Sequence, residues 1–475
     1  MLAPSPVPPE RRVWCNRTLN LRSIRAVGYD MDYTLVHYRT EEWERAAFQH
    51  ALGPLAQRGW PVQGLTFDPS GVIQGLAFDL ELGNLVKATR FGYVIRARHG
   101  TCALSFDEQR AAYSSTFVDL SEPRWEFMNT LFSLSEASLF AQLVQLLDAG
   151  ELPQALGYRE LHRILRSALD EAHNLGELKA LIAADPERFV ELDPEVPLTL
   201  LDQKKAGKRL LLVTNSDWGY TRSMLAYAFD RFLPHGLKWR DLFDLVILEA
   251  RKPAFFSGRQ AVYRLVDEER GLLQPHRGPL EAGGVYVGGD ASLVEASLEL
   301  SGAQILYLGD HLFGDVHVSK EMLRWRTGLI LREIEPEIRA LEESAAADAE
   351  LKRLMARKME LDDRLARLRL ARQRSLQGYG PQLHGDPETL EADIKNAAEE
   401  SLALDSTIGP LAKAAGELGN PTWGPLMRAG YDKSLFARQV ERYADVYTSR
   451  VSNFLAVTPF AYLRAARSSL PHDPS

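Results

Sequence analysis

Residues 24–35 read IRAVGYDMDYTL, a short apolar segment that runs directly into two carboxylates. The apolar part, residues 24–29, predicts a buried β-strand because it is short and continuous. Asp30 and Asp32 stand just beyond the end of that strand. In such a pair, one carboxylate can act as a nucleophile and the other as a general acid and base. The alternative is that both are ordinary turn residues, since Asp is favoured in turns.

Three later apolar segments also end in polar side chains. They are 209–213, followed by Thr214, Asn215 and Ser216; 242–248, followed by Lys252; and 304–308, followed by Asp310 and, five residues on, Asp315. Continuous apolar strands separated by helices indicate a parallel sheet that is covered on both faces. Ligands of such sheets bind in the crevice at the carboxyl ends of the strands. We therefore expect these side chains to converge in one crevice.

Each group alone has an ordinary explanation. The hydroxyls near Thr214 could bind a phosphate or cap a helix, and Lys252 could be a solvated surface lysine. Asp310 and Asp315 could be turn residues or ligands of Mg²⁺. Phosphate-monoester hydrolysis requires rate accelerations of up to ~10²¹, of which a general acid supplies only ~10²–10⁴. Such a site therefore needs the lysine and the metal-binding acids together, and this chain has both.

Composition narrows the class of protein. The 475 residues correspond to about three domain-equivalents, and 56 basic against 64 acidic residues give a net charge of −8. This charge argues weakly against a nucleic-acid binder. The two cysteines, Cys15 and Cys102, exclude a disulfide framework and a cysteine-rich zinc site. Because no apolar run reaches ~18 residues and the N-terminus lacks a signal-like core, we expect a soluble, cytoplasmic protein.

The last third of the chain changes in character. Residues 331–375 lack glycine and carry leucines at a spacing of three and four, including Leu351, Leu354, Leu361 and Leu365. This pattern predicts a helical hairpin arm or a short coiled coil, packed against its own domain or a sister subunit. Residues 377–387 read as a turn, and residues 388–475 as helical again. Residues 1–20 read as a poorly ordered arm.

The ordered set of strand-end residues resembles the haloacid-dehalogenase superfamily of phosphohydrolases. The matching residues are DMDYTL at 30–35, Thr214-Asn215-Ser216, Lys252, and Gly309-Asp310 with Asp315. The resemblance narrows to the purine cytosolic 5′-nucleotidases, the IMP/GMP-specific branch. The segments that carry it are NTLF at 129–132, VTNSDW at 213–218, ARKP at 250–253, ILYLGDHLFGD at 305–315 and SLFARQVERYAD at 434–445.

This resemblance implies an α/β fold of the haloacid-dehalogenase type, in which residues 21–40 and 200–332 form a Rossmann-like catalytic core with a parallel sheet. Residues 41–199 would be an inserted cap, and residues 333–475 a helical arm and C-terminal helical region. The implied activity is Mg²⁺-dependent hydrolysis of IMP and GMP through an aspartyl-phosphate, with phosphotransfer to a second nucleoside as a further outcome. The implied assembly is a homo-oligomer, either a dimer or a tetramer. The alternatives are a phosphatase for sugar phosphates or other small metabolites, and a non-catalytic helical scaffold.

The resemblance also assigns roles to residues. Asp30 would be the nucleophile and Asp32 the general acid and base. The metal would be held by the Asp30 side chain, the Asp32 backbone carbonyl and Asp310, with Asp315 orienting water behind them. The phosphoryl group would be held by Thr214, Asn215 and Lys252.

The nucleotide pocket would come from the cap. Its candidate residues are Asn129, Phe132 for base stacking, and Arg166, Asp170, His173 and Lys179 for polar recognition. The spacing of Arg166, Asp170 and His173 independently puts three polar groups on one helix face. A solvated helix face with an Arg–Asp pair is the alternative.

Overall fold

The computed structural model describes residues 7–153, 155–174, 176–381 and 387–466. The chain forms two compact units. One comprises residues 1–335 together with 426–475, and the other comprises residues 336–425. No helix in the described ranges is long and apolar enough to cross a membrane.

The elements alternate along the chain. The strands are β1 (Trp14–Cys15), β2 (Leu19–Asn20), β3 (Ala26–Tyr29), β4 (His37–Tyr38), β5 (Ala77–Asp79), β6 (Asn84–Ala88), β7 (Val94–His99), β8 (Cys102–Ala103), β9 (Trp125–Phe127), β10 (Val190–Glu191), β11 (Arg209–Val213), β12 (Leu245–Leu248), β13 (Val262–Asp267), β14 (Leu272–Pro275), β15 (Gly284–Gly288), β16 (Ile305–Gly309), β17 (Arg326–Ile330), β18 (Arg428–Ala429), β19 (Asp432–Lys433), β20 (Val446–Thr448) and β21 (Tyr462–Leu463). The helices are α1 (Thr40–Gln57), α2 (Phe106–Tyr113), α3 (Leu134–Asp148), α4 (Tyr158–Asn174), α5 (Glu177–Ala184), α6 (Pro186–Phe189), α7 (Glu195–Lys205), α8 (Trp218–Phe229), α9 (Ala254–Ser257), α10 (Ala291–Leu298), α11 (Val318–Leu323), α12 (Ile334–Glu343), α13 (Ala345–Gln377), α14 (Pro387–Gly416), α15 (Leu435–Tyr443) and α16 (Phe454–Val457).

A ten-stranded sheet organises the larger unit, in the order β1-β20-β17-β16-β3-β11-β12-β15-β13-β14. From β20 to β15 in this order, each strand runs parallel to its neighbours. Alternate residues of β11 enter two separate clusters: Leu210 and Leu212 face one, Leu211 and Val213 the other. The predicted α/β fold, with a parallel sheet buried on both faces, is confirmed.

One edge of this sheet, formed by β1 and β20, differs from the sequence-based division. Strand β1 lies in the predicted N-terminal arm and β20 in the predicted helical tail, yet they pair with each other, and β20 also pairs with β17. Asp445 fastens this edge, since its carboxylate accepts hydrogen bonds from Arg326 Nε at 2.8 Å and Thr327 N at 3.1 Å. Strands of two or three residues are too short to show a period, which is why the sequence did not reveal them.

A second sheet lies in the predicted cap. It is antiparallel, in the order β8-β7-β6-β5-β9. Helix α4 covers residues 158–174. Helix α3 begins only at Leu134, because β9 and a short loop that ends in a 3₁₀ turn occupy residues 125–133. That loop enters the site described below.

The smaller unit is a helical hairpin. Leu351 and Leu354 of α13 are buried with Ile408 of α14, and Leu361 and Leu365 are also buried. The leucine spacing therefore marks the seam between the two helices. Of the predicted turn at 377–387, residues 382–386 lie outside the described residues.

Candidate active site

The carboxyl ends of β3, β12 and β16 bring four charged side chains together. Lys252 lies between two carboxylates: its Nζ is 2.7 Å from Asp30 Oδ1 and 2.8 Å from Asp315 Oδ1. Asp310 follows β16 directly and belongs to the same group of carboxylates. These residues, widely separated in sequence, meet at one edge of the sheet, as the strand pattern predicted.

The surroundings keep Lys252 charged and fixed. Its Nζ donates to the Tyr307 hydroxyl at 3.2 Å, and that hydroxyl in turn donates to the Val213 carbonyl at 3.2 Å. Burial alone would lower the pKa of Lys252, but the Asp30 and Asp315 carboxylates raise it well above its ordinary value. The crevice therefore holds a permanent positive charge at the point where a phosphoryl group would carry negative charge.

Three carboxylates form a potential metal site. One oxygen from each of Asp30, Asp310 and Asp315 lies within 4.8 Å of the others. The Oδ1 atom of Asp310 is buried and has no hydrogen-bond partner among the described residues, whereas its Oδ2 accepts from Thr130 Oγ1 at 3.2 Å. Burial, with Asp30 and Asp315 nearby, raises the pKa of Asp310 well above its ordinary value. An unpartnered oxygen among clustered carboxylates fits a hard cation such as Mg²⁺.

Gly309 permits this close arrangement. A Cβ added there would lie 2.5 Å from Asp315 Oδ2. The residue before Asp310 therefore has to be glycine for the Asp315 carboxylate to reach the group.

Asp32 belongs to a different set of contacts. Its Oδ1 accepts from the Tyr38 hydroxyl, and its Oδ2 accepts from Ser216 Oγ at 2.9 Å. The Tyr38 hydroxyl is 3.0 Å from that of Tyr220. Burial raises the pKa of Asp32, and Lys179 and the Tyr38 hydrogen bond act in the opposite direction. Asp30 and Asp32, two residues apart, thus have distinct environments, as different chemical roles require.

The segment after β11, residues 214–217, makes hydrogen bonds within itself and to Lys252. Thr214 is fully buried, and its Oγ1 accepts from Ser216 N at 3.1 Å. The Asn215 side chain makes two hydrogen bonds to the Lys252 backbone. It accepts from the Lys252 N–H at 2.7 Å and donates to the Lys252 carbonyl at 3.3 Å. Helix capping, the alternative explanation of this motif, is done by Asp217 instead, which accepts from Tyr220 N. Asn215 therefore positions Lys252.

Two cap residues reach the core side of the crevice. The ring of Phe132 lies edge-on to Tyr33, which follows Asp32, with centroids 4.8 Å apart. The Lys179 ammonium donates to Ser216 Oγ at 3.0 Å, so it lies beside the Asp32 contacts. Asn129 Nδ2 donates to Phe127 O at 3.2 Å, and its Oδ1 is buried without a partner in the part of the chain that the structure describes.

The polar helix face of the cap is only partly described. Arg166 pairs with Glu126 of β9, and Asp170 is exposed. The side chain of His173 lies outside the described residues. Arg166 is itself exposed, and the contact that the structure gives it is the ion pair with Glu126.

Sequence reasoning missed four polar contacts of the crevice. Thr130 and Ser216 stood inside quoted motifs without an assigned role, Tyr307 lay within an apolar strand segment, and Tyr38 lay outside every quoted segment. Periodicity counts tyrosine as apolar, so only the position of Tyr38 and Tyr307 beside strand-end acids could have drawn attention to their hydroxyls.

Known proteins resemble this chain along most of its length. The model of the 5′ nucleotidase family matches residues 13–475. A 5′-nucleotidase domain-containing protein of Dictyostelium discoideum is 27% identical, over 97% of this chain and 74% of its own. 5′-nucleotidase domain-containing protein 2 of Homo sapiens is 27% identical, over 97% of this chain and 85% of its own.

Among solved structures, the β-phosphoglucomutase of Pyrococcus sp. strain ST 04 aligns with 65% of this chain and 86% of its own, at 11% identity and a TM-score of 0.31. The family model, by contrast, spans nearly every residue and includes the crevice. The chain therefore belongs to the 5′ nucleotidase family, within the haloacid-dehalogenase superfamily, and is a phosphoric monoester hydrolase.

Proposed function

We propose that this protein is a Mg²⁺-dependent 5′-nucleotidase that hydrolyses the purine nucleoside monophosphates IMP and GMP. The observation that carries the proposal is the crevice itself, where Lys252 bridges Asp30 and Asp315 beside the unpartnered oxygen of Asp310. Family membership and the resemblance of the cap to the purine-specific branch support the substrate class. The same resemblance supports a cytoplasmic homo-oligomer, a dimer or tetramer, which light scattering would test.

Asp30 is the proposed nucleophile. Its Oδ1 accepts from Lys252 and from Met31 N at 2.7 Å, while Oδ2 has no hydrogen bond from the described residues. Burial raises the pKa of Asp30 to about 6, with Lys252 opposing the rise. The free oxygen attacks phosphorus, and the bond between phosphorus and the 5′ oxygen breaks, which leaves the phosphoryl group on Asp30.

Asp32 is the proposed general acid and base. It gives its proton to the departing 5′ oxygen and later takes one from the water that attacks the phosphoenzyme. Lys252 and Thr214 hold the phosphoryl group, and Asn215 keeps Lys252 in place. Mg²⁺, held by Asp30, Asp310 and the Asp32 carbonyl with Asp315 behind them, would neutralise phosphoryl charge. A second nucleoside in place of water would give phosphotransfer.

The cap supplies the proposed base and sugar contacts. Phe132, next to Tyr33, is the stacking residue, and Lys179 lies beside Ser216 at the phosphate end. Arg166, Asp170 and His173 share one face of α4, and Asn129 lies in the loop that also carries Thr130. These residues are proposed to recognise the purine nucleoside.

Purified protein assayed with Mg²⁺ against IMP, GMP, AMP, CMP and sugar phosphates tests the proposed function. We expect kcat/KM for IMP and GMP to exceed that for CMP by at least about tenfold, since a site built for hydrogen bonding rejects a base that cannot make those bonds. Chelation of divalent cations should abolish phosphate release, and added Mg²⁺ should restore it. Equal turnover of all substrates would instead support a general metabolite phosphatase.

Thr130→Val removes the hydroxyl that donates to Asp310 Oδ2. We expect Mg²⁺ affinity to fall about 10–100-fold, because partners that orient a metal-binding carboxylate have effects of this size. Titration calorimetry with Mg²⁺, and the Mg²⁺ dependence of the rate, measure it.

Thr221→Val is the matched control for that substitution. Thr221 is also a buried threonine, and its hydroxyl has no partner among the described residues. Equal Mg²⁺ affinity in the two variants would contradict a role for Thr130 in orienting Asp310.

A further inference from the structure

We infer that Tyr38 is a positioning residue for the general acid, because its hydroxyl holds the Asp32 carboxyl group in the orientation from which the proton reaches the leaving oxygen. This inference rests on the role proposed for Asp32. Tyr38 lies in β4, six residues beyond Asp32 and outside the segments on which the resemblance to known phosphohydrolases depends.

Both oxygens of Asp32 are held from opposite parts of the fold. Tyr38 donates to Oδ1 from the strand that follows Asp32, and Ser216 donates to Oδ2 from the segment after β11. A carboxyl group turns about two side-chain torsions, so two donors from separate elements restrict it far more than one. The Asp32 carboxylate is not part of the cluster of carboxylates formed by Asp30, Asp310 and Asp315. Its orientation is therefore left to these hydroxyls.

Tyr38 is itself rigid. It is buried, and its ring packs against Trp43 at a centroid distance of 4.4 Å and against Tyr33 at 5.3 Å. A phenol is an O–H donor at neutral pH, so the Tyr38 hydroxyl remains a donor to Asp32. A fixed ring with a protonated hydroxyl is suited to holding a carboxyl group in place.

Tyr220 of α8 extends the same chain of hydrogen bonds. Its hydroxyl is 3.0 Å from that of Tyr38. Because Tyr38 gives its only proton to Asp32, Tyr220 is the donor in this pair, and the two bonds point in the same direction and strengthen each other. The Lys179 ammonium lies 5.1 Å from the centre of the Tyr220 ring. Tyr220 is therefore a secondary support, with a smaller expected effect.

The step affected is the first one. As the bond from Asp30 to phosphorus forms and the bond from phosphorus to the leaving oxygen breaks, the proton of Asp32 moves to that oxygen. Tyr38 keeps its own proton throughout. A misoriented Asp32 slows only those reactions in which the leaving oxygen needs the proton, which are reactions with basic leaving groups.

A series of aryl phosphates with graded leaving groups, from phenyl to 4-nitrophenyl phosphate, tests the inference. For Tyr38→Phe we expect kcat/KM to fall about 10–100-fold with phenyl phosphate and less than about threefold with 4-nitrophenyl phosphate, since general acids contribute ~10²–10⁴. The dependence of kcat/KM on the basicity of the leaving group thus becomes steeper. Asp32→Asn should steepen it further, and Tyr220→Phe should steepen it less. Aryl phosphates make the test independent of purine specificity.

Tyr113→Phe is the matched control. Tyr113 is a buried tyrosine in the cap sheet region whose hydroxyl donates to the buried Asp79 carboxylate at 2.9 Å, so it loses the same kind of bond elsewhere. Its leaving-group dependence should match that of the unmodified protein. Equal losses across the series in Tyr38→Phe would show a packing role and overturn the inference. Tyr220→Phe provides the same test if Tyr38→Phe does not fold.

The Asp32→Asn variant separates two failures. If it leaves the leaving-group dependence unchanged, Asp32 is not the acid, and both the proposed role and the inference are wrong. If Asp32→Asn steepens the dependence and Tyr38→Phe does not, only the inference is wrong.

Discussion

Asp30→Asn is expected to lower kcat by at least about 10⁴-fold, since loss of a covalent nucleophile has effects of this order or larger. The amide is a poor nucleophile and cannot form an acyl-phosphate. It also places a neutral group beside Lys252, whose Nζ is 2.7 Å from Asp30 Oδ1. The assay is phosphate release from IMP with saturating Mg²⁺.

Chemical trapping gives that prediction a second readout. Borohydride reduction of the protein during turnover should convert the phosphorylated side chain at position 30 to homoserine, which mass spectrometry of the peptide detects. Asp217→Asn is a matched control, because Asp217 is exposed and caps α8, a role that Asn also fills. An Asp30→Asn variant with activity within tenfold of the unmodified protein would contradict the nucleophile assignment.

Lys252→Met is expected to lower kcat/KM by about 10²–10³-fold, the effect of removing one preorganised charge-stabilising donor. Methionine keeps much of the length and apolar stem of lysine, so the change is mainly one of charge. Without the ammonium group, Asp30 and Asp315 each lose the cation within 2.8 Å. Burial already raises the pKa of Asp30 to about 6, and loss of the positive charge raises it further. More of the nucleophile is then protonated at neutral pH.

Lys208→Met controls for the replacement of a buried lysine. Lys208 is buried, and its Nζ donates to the carbonyls of Leu21 at 2.6 Å and Ile24 at 2.9 Å, contacts that include none of the crevice carboxylates. We expect this variant to lose stability, measured by thermal unfolding, with kcat/KM little changed. Similar kcat/KM losses in both variants would contradict a catalytic role for Lys252.

The parallel sheet was predictable because its strands are continuous apolar segments, and the crevice because polar residues follow those segments directly. The convergence of Asp30 and Asp310 needed no knowledge of the loops, because each directly follows a strand and parallel strands align their carboxyl ends. The edge formed by β1 and β20 was not predictable in this way. Strands β1 and β20 have too few residues to show a pattern, and their pairing joins residues 14–15 to 446–447.

The hydrogen bonds from hydroxyl groups to the carboxylates could not be predicted from the sequence, for a different reason. Thr130 meets Asp310 across 180 positions of sequence, and a threonine in a loop carries no sign of that partner. Tyr38 is close to Asp32 in sequence, but its return to the carboxylate depends on Tyr33, whose φ of 53° turns the chain back. Short-range sequence patterns indicate burial and the period of a helix or strand. These contacts depend instead on where the chain runs in three dimensions.

The place of β3 in the sheet has a consequence for protein synthesis. It lies between β11 and β16 and pairs with both. These two strands begin at residues 209 and 305, so they are synthesised long after β3. At typical elongation rates, a ribosome needs roughly 10–40 s to make the residues between β3 and β11. During that time a nascent chain carries an apolar strand with two open edges, a state prone to aggregation. Chains that terminate prematurely between β3 and β11 should therefore be captured by chaperones or degraded.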